Sequence, residues 1–237
     1  MQIRTPIDPP AKTLSGHFPH KWGKLGRDLR PAWLVAWSLG ALAAFAIWAS
    51  PAASLAAEPL GRVEIGAMAP DFHARGADGL DHRLSDYAGK VVVLEWTSPV
   101  CPYTAIKYRG GLMQALQRRA ARQGVAWLAI DTAGPDRPGY LTPEAARARI
   151  ARTGARVTAF LADADGRIGR AYGARTTPSL YVIGKDGRLV YQGALDDDPG
   201  RARPGGPDYV SAALDDLAAG RAVRTPETRP YGCAVEY

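Results

Sequence analysis

Only two cysteines and four histidines occur among the 237 residues. Cys101 and Cys233 are far apart in sequence, so the chain has no Cys-x-x-Cys pair. No histidine is closely placed beside either, which excludes the usual four-ligand zinc cage. A strong charge of one sign is also missing where a folded domain would carry it. Residues 1–30 hold six Lys/Arg against two Asp, whereas the chain from 58 onward holds 24 Lys/Arg against 21 Asp/Glu. So weakly basic a remainder gives no case for nucleic-acid binding, and the arginines at 118–122 read as the solvated face of a helix. Residues 31–57 carry no charge at all.

That uncharged run has an order. A basic segment precedes it, Ala32–Trp48 is apolar, and small residues close it at Ser54-Leu55-Ala56. Basic, apolar, then small is the order of a secretory signal peptide. The apolar stretch is long for a signal core, and about 20 apolar residues span a bilayer, so an uncleaved anchor through 32–57 is the alternative. Either one places the rest of the chain in the periplasm or another extracytoplasmic space, with Arg27 and Arg30 left inside. An oxidising compartment permits the cysteines to pair. The expected division is a basic leader plus signal or anchor over 1–57, one domain over 58–220, and a tail over 221–237 carrying Cys233.

Val91-Val92-Val93-Leu94-Glu95-Trp96 reads as a buried central strand. A helical pattern starts at Pro102, which suits a first turn, and runs to Gly124. Val125–Ile130 is a second strand, and strand–helix–strand of this length is a parallel βαβ unit. Thr142-Pro143-Glu144 opens a helix to Ala151, capped by Thr142. Thr158–Leu161 is a short strand. Ser179–Ile183 and Arg188–Tyr191 form a hairpin about Asp186-Gly187, Asp196–Pro207 is a polar loop, and Tyr209–Leu217 is a terminal helix. The order predicts an α/β, thioredoxin-like fold, a central mixed sheet flanked by helices, with an N-terminal extension and a helical insertion.

Four residue strings in this order resemble the redoxins, that is, the AhpC/TSA peroxiredoxins and their TlpA/ResA-like thioredoxin relatives. They are Gly66-Ala67-Met68-Ala69-Pro70-Asp71-Phe72, Leu84-Ser85-Asp86-Tyr87-Ala88-Gly89-Lys90, Val100-Cys101-Pro102, and Thr176-Thr177-Pro178. The resemblance covers about residues 62–220. It implies a nucleophile at Cys101 and a cis proline at Pro178 in a loop beside it. It also implies that the Thr177 backbone pairs with an extended substrate. Departures are visible. Ser98 stands where peroxiredoxins place a threonine, Leu94 where they place a proline, and Thr104 where thioredoxins place their second cysteine.

At a helix start Cys101 gains unpaired N–H groups and dipole charge that favour the thiolate, and the redox reading needs an accessible sulfur facing the proline loop. Glu95 is a candidate proton relay or a paired sheet-end carboxylate. Arg175 is a candidate site-lining cation, with Pro102, Thr104, Thr177 and Pro178 around the substrate, while Lys107 and Arg109 read as solvated surface. Cys233 has three readings: a thiol resolving a Cys101 sulfenic acid, a permanent structural disulfide partner, or a bridge to a second chain. The 221–237 tail is mobile unless tied down. His73, His82 and Asp81 read as surface groups, Asp196–Asp198 as a solvated turn, and Trp96 and Trp127 as core or site wall, so neither metal nor cofactor is expected. The function implied is an exported thiol peroxidase or thiol–disulfide oxidoreductase acting on peroxide or on a protein thiol or disulfide, with a thiol electron donor. The alternative is a redox-inactive binding or chaperone module on the same scaffold.

Overall fold

The structure, a computed structural model, describes residues 61–237, so the leader and the uncharged run of 1–57 lie outside the described residues. No helix among the described residues is long and apolar enough to cross a membrane. A short antiparallel ribbon comes first, β1 (His73–Arg75) with β2 (Asp81–Arg83). β3 (Val92–Trp96) leads through α1 (Pro102–Arg109) and α2 (Leu112–Arg122) to β4 (Ala126–Asp131). Then follow α3 (Pro143–Thr153), β5 (Ala159–Ala162), α4 (Arg167–Tyr172), β6 (Thr176–Thr177), β7 (Ser179–Ile183), β8 (Leu189–Gly193), α5 (Tyr209–Ala218) and β9 (Cys233–Ala234). The main sheet has the order β5-β4-β3-β7-β8. β3 is parallel to β4 and antiparallel to β7, so the sheet is mixed.

β3 is buried at every position, which is why its sequence is a continuous apolar run and not an alternation. Leu94 and Trp96 pack on one side with Leu128, Ile130 and Tyr172, and Val93 packs on the other with Met113, Leu116 and Trp127. The α3 cap is the one its sequence suggests, with Thr142 Oγ1 accepting from the Ala145 amide at 3.2 Å.

One helix was expected between Pro102 and Gly124, and there are two. Gly111 takes a left-handed conformation with φ of 85°, and the Ala202 carbonyl comes so near Gly110 that a Cβ there would lie 2.2 Å from its oxygen. Leu112 N donates to that same carbonyl at 3.2 Å. The glycine pair therefore ends α1, restarts α2, and seats the 196–208 loop against the break.

Candidate active site

Cys101 is the N-cap residue of α1, placed there by the turn that leaves β3. Ser98 braces this turn. Its hydroxyl accepts from the Val100 amide at 3.4 Å and its carbonyl from Cys101 N at 3.4 Å, and Arg149 Nη2 donates to that carbonyl at 3.3 Å. Pro102 fills the first helical position, where no N–H is needed. Thr104 is fully buried, and among the described residues its hydroxyl has no partner. The position that holds a second sulfur in thioredoxins is thus packed into the interior with a group that cannot resolve a disulfide.

Opposite the helix start stands Thr177-Pro178, joined by a cis peptide bond. The Cys101 thiol donates to the Thr177 carbonyl at 2.9 Å. The sulfur faces the proline loop, but Cys101 is only 1% exposed, against the expectation of an accessible thiol.

The tail is responsible for part of that cover. β9 pairs antiparallel with β6, with Cys233 opposite Thr177. The edge expected to receive an extended substrate is thus occupied by the protein's own C-terminal strand. Cys233 itself is half-buried and stands opposite Thr177, the residue whose carbonyl accepts from the Cys101 thiol. Both cysteines are free thiols. Gly232 allows the approach. It has φ of 132°, and a Cβ there would lie 1.9 Å from the Thr177 carbonyl oxygen. Beyond Cys233, Val235 N donates to the Arg175 carbonyl at 3.0 Å, the Gly139 amide donates to Glu236 at 2.8 Å, and Tyr237 OH donates to the Ala174 carbonyl at 2.6 Å. The tail is tied down through most of its last seven residues.

The two thiols are pushed apart in acidity. Burial raises the Cys101 pKa, but hydrogen bonding from the Cys233 thiol and the Thr104 amide more than offsets it, and the net direction is down. The Thr177 carbonyl opposes ionisation, because an S–H donor is lost with the proton. Burial and the neighbouring Cys101 push Cys233 up to about 11. Of the two sulfurs, Cys101 is thus the one that ionises more readily.

Glu95 lies on β3 and is fully buried. Its carboxylate accepts from Trp127 Nε1 at 2.7 Å, from Tyr108 OH at 2.9 and 3.1 Å, and from Gln117 Nε2 at 3.2 Å. None of these bonds reaches a sulfur. Burial raises its pKa against the pull of those donors. Arg175 is exposed and lines a shallow cavity with Tyr181 and Thr228. Its backbone holds the tail, while its guanidinium forms no hydrogen bond or ion pair among the described residues. Two surface readings are corrected. Lys107 and Asp196 are both 0% exposed in their side chains and are bonded to each other at 2.9 Å. Neither carries a local sign of burial, because the two lie 89 residues apart. Arg109 is exposed as expected. His82 bonds Asp78 and Tyr87, and His73 faces Asp81 at 3.7 Å, both on the β1–β2 ribbon.

Residues 65–192 match the profile of the AhpC/TSA family. A protein named thiol-disulfide oxidoreductase ResA from Geobacillus thermodenitrificans (strain NG80-2) is 30% identical over 129 residues, which cover 54% of this chain and 67% of the relative. A solved structure of a hypothetical protein from Sinorhizobium meliloti 1021 aligns with a TM-score of 0.65 and 26% identity, covering 75% of this chain and 96% of that one. Peroxidoxin BcpB from Mycobacterium tuberculosis aligns with a TM-score of 0.51 and 16% identity over 68% of this chain and 99% of its own, a likeness of fold.

Proposed function

The chain belongs to the AhpC/TSA family, and on that premise we propose that it is an exported thiol–disulfide oxidoreductase whose working couple is Cys101 with Cys233. The observation that carries this is the β6–β9 pairing, which puts Cys233 opposite Thr177, the residue whose carbonyl accepts from the Cys101 thiol. Oxidation of the couple removes two electrons and two protons and leaves one S–S bond. In the return direction, an external thiolate attacks Cys233, the less covered sulfur, and Cys101 departs as thiolate because the lower-pKa sulfur leaves faster. A second external thiolate then attacks the externally derived sulfur of that mixed disulfide, giving the external disulfide and releasing Cys233 as the leaving thiolate. Export rests on the basic and apolar order of 1–57, and the 58–220 domain with its 221–237 tail forms the exported part.

The near-complete burial of Cys101 favours a second reading for the oxidising half-reaction. A peroxide is small enough to need little opening. Its O–O bond would break on attack by the Cys101 thiolate, giving a sulfenic acid and an alkoxide or hydroxide. Cys233 would then condense with the sulfenic acid and release water. The two readings share one couple and differ in the oxidant.

The test is turnover by the full chain, Cys101→Ser and Cys233→Ser with a dithiol as reductant and either a small disulfide or hydrogen peroxide as oxidant. Loss of disulfide turnover in both variants supports the proposal. Loss of peroxide turnover in both, with a sulfenic acid trapped in Cys233→Ser, supports peroxide as oxidant. Wild-type protein inert to both oxidants overturns the enzyme reading in favour of a binding or chaperone module.

A further inference from the structure

The redox chemistry leaves one buried ionic cluster unused. Lys107 Nζ donates to the two Asp196 carboxylate oxygens at 3.0 and 2.9 Å and to the Asp198 carbonyl at 2.6 Å. The Tyr231 hydroxyl donates to the same carboxylate. Its ring lies 5.4 Å from Lys107 Nζ and 6.0 Å from the ring of Tyr103. The positions in the chain matter. Lys107 sits on α1, the helix that Cys101 caps, and Tyr231 lies two residues before Cys233. Asp196 therefore connects the carrier of one sulfur to the carrier of the other.

A buried ion pair is weak evidence for stability, because desolvation takes back most of the Coulombic gain. A carboxylate withdrawn from water does, however, demand donors from every side. Lys107 supplies one from within the folded domain. Tyr231 supplies another, and only a docked tail delivers it. The cation–ring contact is likewise made only by a docked tail. Between this anchor and the β6–β9 pairing lies Gly232, whose backbone takes the turn that the Thr177 carbonyl imposes.

We propose that Lys107, Asp196 and Tyr231 are positioning residues that latch the tail and set the effective concentration of Cys233 at Cys101. The proposal rests on the reading that these two sulfurs form the couple. A tail released from the latch must be ordered again before its thiol reaches Cys101, so the intramolecular disulfide becomes less favoured. The latch also closes the strand edge at Thr177, and an incoming polypeptide displaces it to pair there.

The experiment equilibrates the full chain with glutathione buffers and reads the Cys101–Cys233 disulfide by alkylation and intact mass, for wild type, Tyr231→Phe and Tyr172→Phe. Tyr172 is the control, a buried tyrosine whose hydroxyl donates to the Pro70 carbonyl at 2.7 Å and not to a tail group. The expected result is a fall of about tenfold or more in the equilibrium constant of Tyr231→Phe alone, with faster alkylation of Cys101. Equal constants in wild type and Tyr231→Phe overturn the latch and leave the couple standing. An equal fall in the control also overturns it, as general loosening. A wild-type chain that forms no such disulfide overturns the couple itself.

Discussion

Glu95 and Asp196 are both carboxylates withdrawn from water, and the protein satisfies them in opposite ways. Glu95 accepts from Trp127, Tyr108 and Gln117, uncharged donors on β4, α1 and α2, all within the packed domain. Asp196 accepts from a buried lysine and from a tyrosine of the tail. The first arrangement is closed and holds the helices to the sheet. The second is completed only when the C-terminal segment arrives. Burial and acidity are shared, so they do not distinguish a functional carboxylate from a structural one. What distinguishes these two is whether a donor comes from a segment that also carries a reactive group.

The largest effect expected is at Lys107. Lys107→Met leaves the buried Asp196 carboxylate with only the more distant Arg201, 3.9 Å away, as a cation among the described residues, and unfolding in urea is expected to show a loss of about 3–5 kcal/mol. Lys107→Met combined with Asp196→Leu recovers most of that loss. If the single variant is as stable as wild type, the contrast between the two carboxylates disappears. Glu95→Gln comes next, at about 1–3 kcal/mol, because an amide offers one acceptor oxygen to a cluster of three donors. Its Cys101–Cys233 equilibrium is expected to match wild type. A collapse of exchange rate with stability intact would instead make Glu95 a proton relay.

A third buried acid sharpens the comparison through pH. Asp131 Oδ1 is buried with no partner among the described residues. Burial raises Asp131 from 3.8 to about 7, with Arg149 opposing and Glu236 of the tail adding to the rise. Between those values the folded state holds a proton that the unfolded state has released. This contribution to stability is therefore complete below about pH 4 and is lost as pH rises through about 7. Asp131→Asn is expected to gain about 1–3 kcal/mol at pH 8 and nothing at pH 4, read from thermal unfolding across pH. A gain that is equal at both values contradicts the assignment. The smallest effect is on the nucleophile. Cys233→Ala removes one of the donors that lower the Cys101 pKa, and the midpoint of Cys101 alkylation against pH is expected to rise. An unchanged or lower midpoint would mean the sulfurs do not interact.

Much of the fold is legible in the sequence. The β3 and β4 runs, the Asp186-Gly187 hairpin and the Thr142 cap each carry a local signal that the packing then reinforces. The α1–α2 break is less legible, because apolar spacing continues across Gly110-Gly111 and only the approach of Ala202 makes those glycines decisive. α4 and the β1–β2 ribbon are short and carry little periodicity. In the site, Cys101, Thr177 and Pro178 follow from motif strings, and the structure brings Cys233 to them. The burial of Lys107 has no local sign, since its partner lies 89 residues away. β9 is a two-residue strand that exists only through its pairing with β6. The glycine directly before Cys233 was the one available clue, a residue suited to a backbone conformation that other side chains resist.

The most direct test of the central claim is to oxidise the full chain with diamide, using an equal mixture of isotopically heavy and light protein. Peptides are then mapped by mass spectrometry without reduction. The account predicts a Cys101–Cys233 linked peptide with both halves from the same chain, heavy with heavy and light with light. Linked peptides that mix heavy with light, or two cysteines that stay unlinked, would contradict it.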